Sequence, residues 1–482
     1  MNSPEEIPYK TFARKETHPA RLGALARLHG VSSASCENCS VFEIGCGDGG
    51  NIIPLAALYP DSRYVGIDRS ATLIEKGRAE IRELGLSNIE LIEGDISSFR
   101  PDQGAFDYVI CHGVYSWVSA EVRRAILQRG VTAMAPQGVF FVSYNTLPGW
   151  RQRGAVRDIM RVGASLAGDA SDDRSKVEAA LSFLSLAARS ATGSNPYLRE
   201  AAERLPNSEP SYLLQEFLGE HNTAFKFTHF MEEAQAAGLQ FMSEARVSMM
   251  SDDDLSPEAR ELLASLGEDP IRREQALDML RNRTFRETLL CHASLAIDRG
   301  MSSGVFRQLI FVANYLPRGA GEDAQGERVR FMERFSGREV LTPAGECATV
   351  LGVIAGCGAK GATLHQIEQA AAPVINLSEY EMMRVLVTLW KSGFVEAVTS
   401  PLGGMGDRAH VTALARSQAV KSPKVTSILH ESFALSDVER RALALLDKPV
   451  TFAELQTLLI DQASESEAAA VVSSLSEKGF FL

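Results

Sequence analysis

The sequence predicts an α/β fold over its first third, built on a parallel sheet, followed by an α+β C-terminal region. Three observations carry this. Short β-branched and aromatic runs alternate with helical periods between residues 40 and 145, the pattern of strand-helix-strand units with parallel strands. The first run ends in a glycine turn, "VFEIGCGDGG" at 41–50, where such folds bind ligands beyond the carboxyl ends of their strands. The last third instead repeats an order of two helices, a Gly-Phe pair and a strand.

In chain order, "SVFEIG" (40–45) reads as the first strand and "GNIIPLAALYP" as a helix. "SRYVGID" (62–68), "NIELIEGD" (88–95), "FDYVICHG" (106–113) and "GVFFVSYN" (138–145) read as further strands, with helices over 70–86 and 119–134. Residues 146–221 form a helical insertion, with amphipathic "SKVEAALSFLSLAARSA" (175–191), placed where a lid over the substrate mouth would lie. "FKFTHFMEEAQAAGLQFMSEARVSMM" supplies a helix with a glycine stop at Gly238 and then a strand. "RTFRETLLCHASL" reads as the last strand, after a solvated helical excursion in "SDDDLSPEARELLASLGEDP" (251–270).

Beyond that point, "FRQLIFVANYL" (306–316) and "ERVRFMERFSGREVLT" (327–342) read as one small joining sheet, with "RGAGEDAQGE" as an exposed turn between them. "TLHQIEQAA" with "LSEYEMMRVLVTLWKSGFVEAV", and "TFAELQTLL" with "SEAAAVVSSLSEKGFFL", form a faint duplication of winged-helix-like units, the second truncated. "SPLGGMGDRAHV" (400–411) and "KSPKVTS" (421–427) read as the loops between them. The expected organisation is 1–145 with 222–297 as the sheet domain, 146–221 as the insertion, and 298–345 as connecting strands. The two C-terminal units are 346–400 and 401–482.

Composition narrows the function. A chain of 482 residues is too long for one core, and 45% hydrophobic with 23% charged residues describes an ordinary soluble protein. There is no apolar run of roughly 20 residues, as a membrane span needs, and "MNSPEEIPYKTFARKE" lacks the regions of a signal peptide. The expectation is a cytoplasmic chain with no membrane insertion. A net charge of -12 argues against a nucleic-acid partner, as do the few bases in the candidate recognition helices. Seven cysteines suggest no disulfide scaffold. Cys36 and Cys39 form a C-x2-C with no second pair, so no metal is expected and a free loop thiol pair is the default reading. The other five read as small buried side chains.

Gly45, Gly47 and Gly50 satisfy the G-x-G-x-x-G dinucleotide pattern, yet Glu43 and Asp48 crowd the place where a diphosphate would sit. Carboxylates there suit a cationic cofactor better than an anionic one. Asp68, ending the second strand, can bind ribose hydroxyls, and Asp95 in "EGDIS" can take an adenine amine. An adenosine ligand with acids at its amino-acid end describes S-adenosylmethionine.

"VFEIGCGDGG", "VGIDRS" and "LIEGDIS", in that order and spacing, resemble the class I S-adenosylmethionine-dependent methyltransferases. The resemblance implies a Rossmann-like sheet, parallel with a final antiparallel strand. It also implies a cofactor set of Glu43, Gly45, Cys46, Gly47, Asp68, Arg69, Asp95, Ile96 and His112. Glu43 would orient the loop or reach the methionine ammonium through water; a buried acid capping the loop's amides is the plainer reading. Asp68 would bind the ribose diol, and Asp95 with the Ile96 backbone would recognise adenine.

"CHGVYSWVS" (111–119), "SYNTLPGW" (143–150) and "KETHPARL" (15–22) are similar to bacterial protein-lysine methyltransferases with a methyltransferase regulatory domain, including those acting on rickettsial outer-membrane protein B. "SYLLQEFLGEHNTAFKFTHFMEEAQAAGLQFMSEA" (211–245) and "LRNRTFRETLLCHA" (280–293) resemble that regulatory segment, so the likeness covers residues 8 to 297. The Asn/Asp-Pro-Pro-Tyr/Phe motif of methylases acting on DNA bases or glutamine is replaced by "HGVYSW". Tyr115 and Trp117 then either wall a slot for an aliphatic amine or pack in the core. Tyr144 and Asn145 stand between substrate contact and turn chemistry, and His18 between closing over the cofactor and capping the helix near Ala20. Tyr115, Tyr144 and His112 are the candidates to accept the amine's hydrogen bond.

The expected function is in-line methyl transfer from S-adenosylmethionine to a nitrogen, with protein lysine as acceptor and S-adenosylhomocysteine as product. The partner is a protein substrate, an outer-membrane or surface protein among the candidates, and a homodimer is compatible. Two alternatives remain: a small-molecule amine or metabolite methyltransferase, and a non-catalytic cofactor-sensing adaptor. With a protein substrate, deleting residues 300 to 482 is expected to abolish methylation while sparing cofactor binding.

Overall fold

The structure, a computed structural model, describes residues 11–168, 172–190, 196–300, 303–323, 326–403, 408–460 and 464–482. The first ten residues, positions 324–325 of the expected turn and positions 404–407 of the expected loop lie outside them.

Helix α1 (Pro19–Leu28) precedes strand β1 (Ser40–Ile44), α2 (Ile52–Leu58), β2 (Arg63–Asp68), α3 (Ala71–Leu84) and β3 (Ile89–Glu93). There follow β4 (Phe106–Cys111), α4 (Ala120–Ala133) and β5 (Met134–Asn145). The insertion contributes α5 (Trp150–Ser165), α6 (Asp173–Ser190), α7 (Pro196–Arg204) and α8 (Pro210–Leu213) around a small core of its own that includes Val156, Met160, Leu184 and Phe217. The chain then returns to the sheet through α9 (Phe227–Ala236), β6 (Leu239–Glu244), α10 (Pro257–Ser265), α11 (Pro270–Arg281) and β7 (Phe285–His292).

The strands form a seven-stranded sheet of order β3-β2-β1-β4-β5-β7-β6, with β7 antiparallel to both of its neighbours. This is the Rossmann-like sheet expected. The central strands are apolar because helices cover both faces. Their period of two sends Val41 and Glu43 to one face and Phe42 and Ile44 to the other.

Beneath β6 and β7 sits a buried ion cluster. Arg286, fully buried, meets Glu244 at 2.5 Å, Asp278 at 2.9 Å and Glu274 at 3.0 Å. Its guanidinium lies 3.8 Å over the Phe227 ring. Two of those acids stand on α11, so the cluster ties α11 and β6 to β7 and fixes the register of the segment.

The expected joining sheet is divided in two. After the short α12 (Ser303–Phe306), β8 (Ile310–Ala313) leaves β9 (Tyr315–Asp323) at Asn314. That side chain is held by Gly393 O and Glu396 Oε1, both at 3.0 Å. Strands β9, β10 (Gly326–Glu333) and β11 (Glu339–Pro343) make one sheet. The expected turn is narrower than 318–327, since strand runs to Asp323 and resumes at Gly326. β8 is apolar and buried, and pairs instead with later strands. Beyond α13 (Glu346–Gly356) come β12 (Ala362–Thr363), α14 (Leu364–Ala371), α15 (Glu379–Lys391) and β13 (Val395–Val398), and the second sheet runs β12-β8-β13.

The last stretch holds β14 (Arg408–Ala409), α16 (Ala413–Lys421), β15 (Lys424–Thr426), β16 (Ser432–Ala434), α17 (Asp437–Ala444), β17 (Val450–Thr451), α18 (Phe452–Ile460) and α19 (Glu465–Glu477). Capping boxes open α14 and α15 at Thr363 and Ser378. Ser464 opens α19 in the same way, and Thr451 exchanges the same bonds with Glu454 ahead of α18.

The C-terminal third is not appended to the sheet domain but packed on it. One core runs from α1 and α2 into Phe311, Leu351 and Trp390. Helix α1 lies between sheet and C-terminal region: Thr399 N–H donates to Ala20 O at 3.0 Å. A Cβ on Gly23 would stand 2.8 Å from Tyr108 Oη and 3.2 Å from Thr399 Cγ2.

Candidate active site

A cleft of about 220 Å³ opens at the carboxyl ends of β1, β2 and β4. Its walls include Glu43, Gly45, Cys46 and Gly47 of the glycine turn, Asp68, and His112 with Gly113. The turn folds back because Gly45 N–H and Cys46 N–H both donate to Ile67 O, at 2.8 and 3.1 Å. Gly45 takes φ +76, where a Cβ would meet Val114 Cγ2 at 2.2 Å.

Glu43 is 3% exposed. Its Oε1 accepts from Asn51 Nδ2 at 2.8 Å, while Oε2 is buried without a partner. Burial pushes this carboxyl up to about 8, with the Asn51 bond opposing and the Asp68 charge adding. The loop's amide is capped by Asp68, which accepts from Gly47 N–H and Ser70 N–H, each at 2.9 Å. Asp48 is turned away to Lys76 Nζ at 2.6 Å. With Glu43 held mostly neutral, the charge facing a diphosphate at the glycine turn is that of Asp68.

His112 is half-buried, with Nδ1 lacking a partner. Burial drives its imidazole down to about 3, assisted by the charges of Arg14 and Arg246, so the ring is neutral at physiological pH. Other predicted residues lie elsewhere. Asp95 accepts from Ser97 N–H at 2.8 Å and stands 3.8 Å from the exposed Arg69 guanidinium; neither they nor the buried Ile96 line the cleft.

Tyr115 and Tyr144 share the opposite core with Phe225 and Phe230. Tyr115 Oη donates to Glu233 at 2.5 Å, Tyr144 Oη meets Thr288 Oγ1 at 3.0 Å, and Tyr144 stacks on Phe230 at 4.1 Å. Trp117 is partly buried, and Asn145 Nδ2 donates to Asn222 at 3.1 Å. His18 is buried, with Nδ1 accepting from Ala20 N–H at 3.0 Å as the cap of α1. Cys36 and Cys39 are free, as expected, and both are buried, which pushes the Cys39 thiol up to about 12. Cys347 and Cys357, expected to be buried, are partly exposed.

Sequence reasoning missed Thr11, Phe12 and Arg14, which cross the cleft, Gln215, which reaches it from the insertion, and Asn51. Thr11 Oγ1 accepts from Gly50 N–H at 2.9 Å and donates to Asp48, pinning the N-terminal segment to the turn. Asn51, opening α2 immediately after the glycines, was the one with a readable position.

Residues 41–138 match the family described as a methyltransferase domain, and residues 209–292 the predicted methyltransferase regulatory domain. Protein RP028 of Rickettsia prowazekii (strain Madrid E) is 36% identical over 234 residues, covering 48% of this chain and 93% of that one. This chain belongs to the methyltransferases with a regulatory domain. Protein RP789 of the same strain is 35% identical over 317 residues, 66% of this methyltransferase but 57% of RP789, so the match spans little more than half of that relative. Solved structures of PKMT2 from Rickettsia typhi, one in complex with AdoHcy, superpose with a TM-score of 0.83 at 27% identity, over 98% of this chain and 100% and 98% of those chains.

The cofactor of this methyltransferase is S-adenosylmethionine, and the cleft fits it. The partnerless Glu43 oxygen suits an ammonium, Asp68 suits a diol, and the Gly45 backbone leaves no room for a side chain. Among the described residues no helix is long and apolar enough to cross a membrane.

Proposed function

We propose that this methyltransferase transfers its methyl group to the ε-amino nitrogen of lysine in a protein substrate. The observation that carries the reading is the likeness to PKMT2 along 98% of the chain, including the C-terminal third that a small acceptor would not require. The resemblance of "CHGVYSWVS" and "SYNTLPGW" to protein-lysine methyltransferases points the same way.

Within the site, Glu43 and Asp68 hold the cofactor, and the N-terminal segment from Thr11 to Arg14 excludes water from one side of it. Reaching the neutral amine from a lysine value near 10.4 costs about 4 to 5 kcal/mol at pH 7. Desolvation and the adjacent sulfonium lower that cost. Of the three polar candidates only His112 lines the cleft. Its low basicity suits it to orient the amine by a hydrogen bond rather than retain a proton, which passes to water. Methylation is then mostly alignment in a dry site.

The test is methyl-labelled cofactor with whole-cell protein extract, mass spectrometry of the labelled bands, and Asp68→Ala as control. Label on lysine that vanishes in the control supports the reading. Cofactor binding with no protein label across varied extracts overturns it in favour of a small acceptor.

A further inference from the structure

We infer that His430, far from the sheet domain in sequence, is a positioning residue of the cofactor site, acting through Asn51 on the Glu43 carboxylate. The inference rests on the cofactor assignment above and deepens it.

The Asn51 amide meets four partners and has no spare capacity. Its Nδ2 donates to Glu43 Oε1 at 2.8 Å and to Thr17 Oγ1 at 3.1 Å. Its Oδ1 accepts from Arg14 N–H at 3.0 Å and lies 3.0 Å from His430 Nε2. Because the Arg14 backbone N–H can only donate, the end of the amide that it meets is the oxygen, and that oxygen also faces the imidazole. His430 Nε2 therefore carries the proton and donates it. The Thr17 hydroxyl lies 2.8 Å from Arg14 O and 3.2 Å from Asn51 Oδ1, and donates to the nearer.

Rotating the Asn51 amide would break several bonds at once, so Glu43 Oε1 is held and Oε2 is left directed at the cleft. His430 supplies the one side-chain donor to that amide oxygen from the C-terminal third. It is 2% exposed and sits at φ +60, a left-handed conformation that non-glycine residues rarely adopt. Its backbone N–H is anchored on Ser427 O at 3.0 Å. The same region grips the N-terminal segment beside it: Lys15 and Arg21 both pair with Glu396, and Lys424 Nζ lies 4.6 Å over the Phe12 ring.

The test measures S-adenosylhomocysteine binding by calorimetry on the full chain. His430→Ala is expected to raise Kd about tenfold. His430→Gln, which returns an N–H near the Nε2 position, should stay within threefold of wild type. Tyr59→Phe perturbs the same buried cluster through His18 Nε2, 3.2 Å from the Tyr59 hydroxyl, without touching Asn51, and should leave Kd unchanged. The decisive arm is a double-mutant cycle with Glu43→Gln, in which the His430 effect should largely disappear.

Equal effects of His430→Ala in both backgrounds, or a Kd within twofold of wild type, would overturn the positioning role. If His430→Ala fails to fold, His430→Gln carries the same cycle, and a tenfold loss there also overturns it. A wild-type chain that binds no S-adenosylhomocysteine refutes the cofactor assignment itself, and the positioning role with it.

Discussion

The unpaired oxygen of Glu43 makes cofactor affinity depend on pH in a window far from the ordinary carboxylate range. With the group at about 8 in the empty cleft, pairing with the ligand's ammonium requires it to lose a proton. At pH 7 that costs about 1.4 kcal/mol and at pH 6 about 2.7 kcal/mol, or roughly tenfold in Kd per unit. The ligand's α-ammonium stands beside a free carboxylate, which holds it protonated above the range of a peptide terminus, so affinity should rise up to about pH 8 and then level off as Glu43 becomes fully ionised.

The linked stability of the empty chain runs the opposite way. Glu43 is raised in the folded chain from 4.5, so its contribution is full below about pH 4.5 and is lost as pH rises through about 8. Bound cation reverses that loss. Calorimetry with S-adenosylhomocysteine between pH 5.5 and 9, in two buffers of different ionisation enthalpy, reads both affinity and proton count. Close to one proton should be released per ligand at pH 6 to 7. Glu43→Gln should bind more weakly at pH 8 and lose the rising flank. A wild-type Kd that does not change between pH 6 and 7, or an unchanged flank in Glu43→Gln, would refute the reasoning.

Four further outcomes follow from the geometry. Tyr144→Phe should leave turnover within twofold and lower stability by about 1 kcal/mol, the value of its Thr288 bond; a tenfold fall in kcat would return Tyr144 to the substrate site. Arg286→Met removes the cation shared by three buried acids, leaving Arg283 beside Glu274 and Asp278 but no cation on Glu244, and should cost about 3 kcal/mol in urea unfolding, whereas a loss under 1 kcal/mol would show that Arg283 suffices. The kcat profile at saturating cofactor should show no ionisation from His112 between pH 5.5 and 7.5, because its value lies near 3. A step in that range that disappears in His112→Gln would contradict this. Deleting residues 300–482 should abolish cofactor binding rather than spare it, because the deletion uncovers α1 and removes His430; retained binding in a folded truncation would contradict that.

The strands were legible because central parallel strands are apolar on both faces, and the glycine turn because its backbone needs residues without side chains. The face to which each strand residue points was equally readable. In "GVFFVSYN", Tyr144 follows Phe140 and Val142 at intervals of two, which sends it to their core and away from Glu43 and His112. The division of the joining sheet was not readable, since β8 finds its partners about 50 and 85 residues later and no local pattern announces them. Nor was the pairing of Arg286 with acids on α11, because charged residues in sequence read as solvated until a fold buries them. The cleft residues from the N-terminal segment lacked any periodic signal at all.

The raised value of Glu43 and its link to a histidine 379 positions beyond Asn51 have one cause. A carboxyl reaches about 8 only if water is kept from it, and the sheet alone would leave the end of β1 open, as strand ends in such folds are. Here the opening is crossed by Thr11 to Arg14, and that segment is in turn held by Glu396, Lys424 and the His430–Asn51 contact. Loosening the C-terminal region would therefore hydrate Glu43, lower its value and release Asn51 together. The two effects oppose each other in affinity. Hydration makes ionisation easier, while a freed Asn51 no longer directs Oε2 at the cleft. Affinity at pH 6, where ionisation is costly, should thus suffer less from His430→Ala than affinity at pH 8, where only direction matters. A loss equal at both pH values would mean that His430 orients Glu43 without sheltering it.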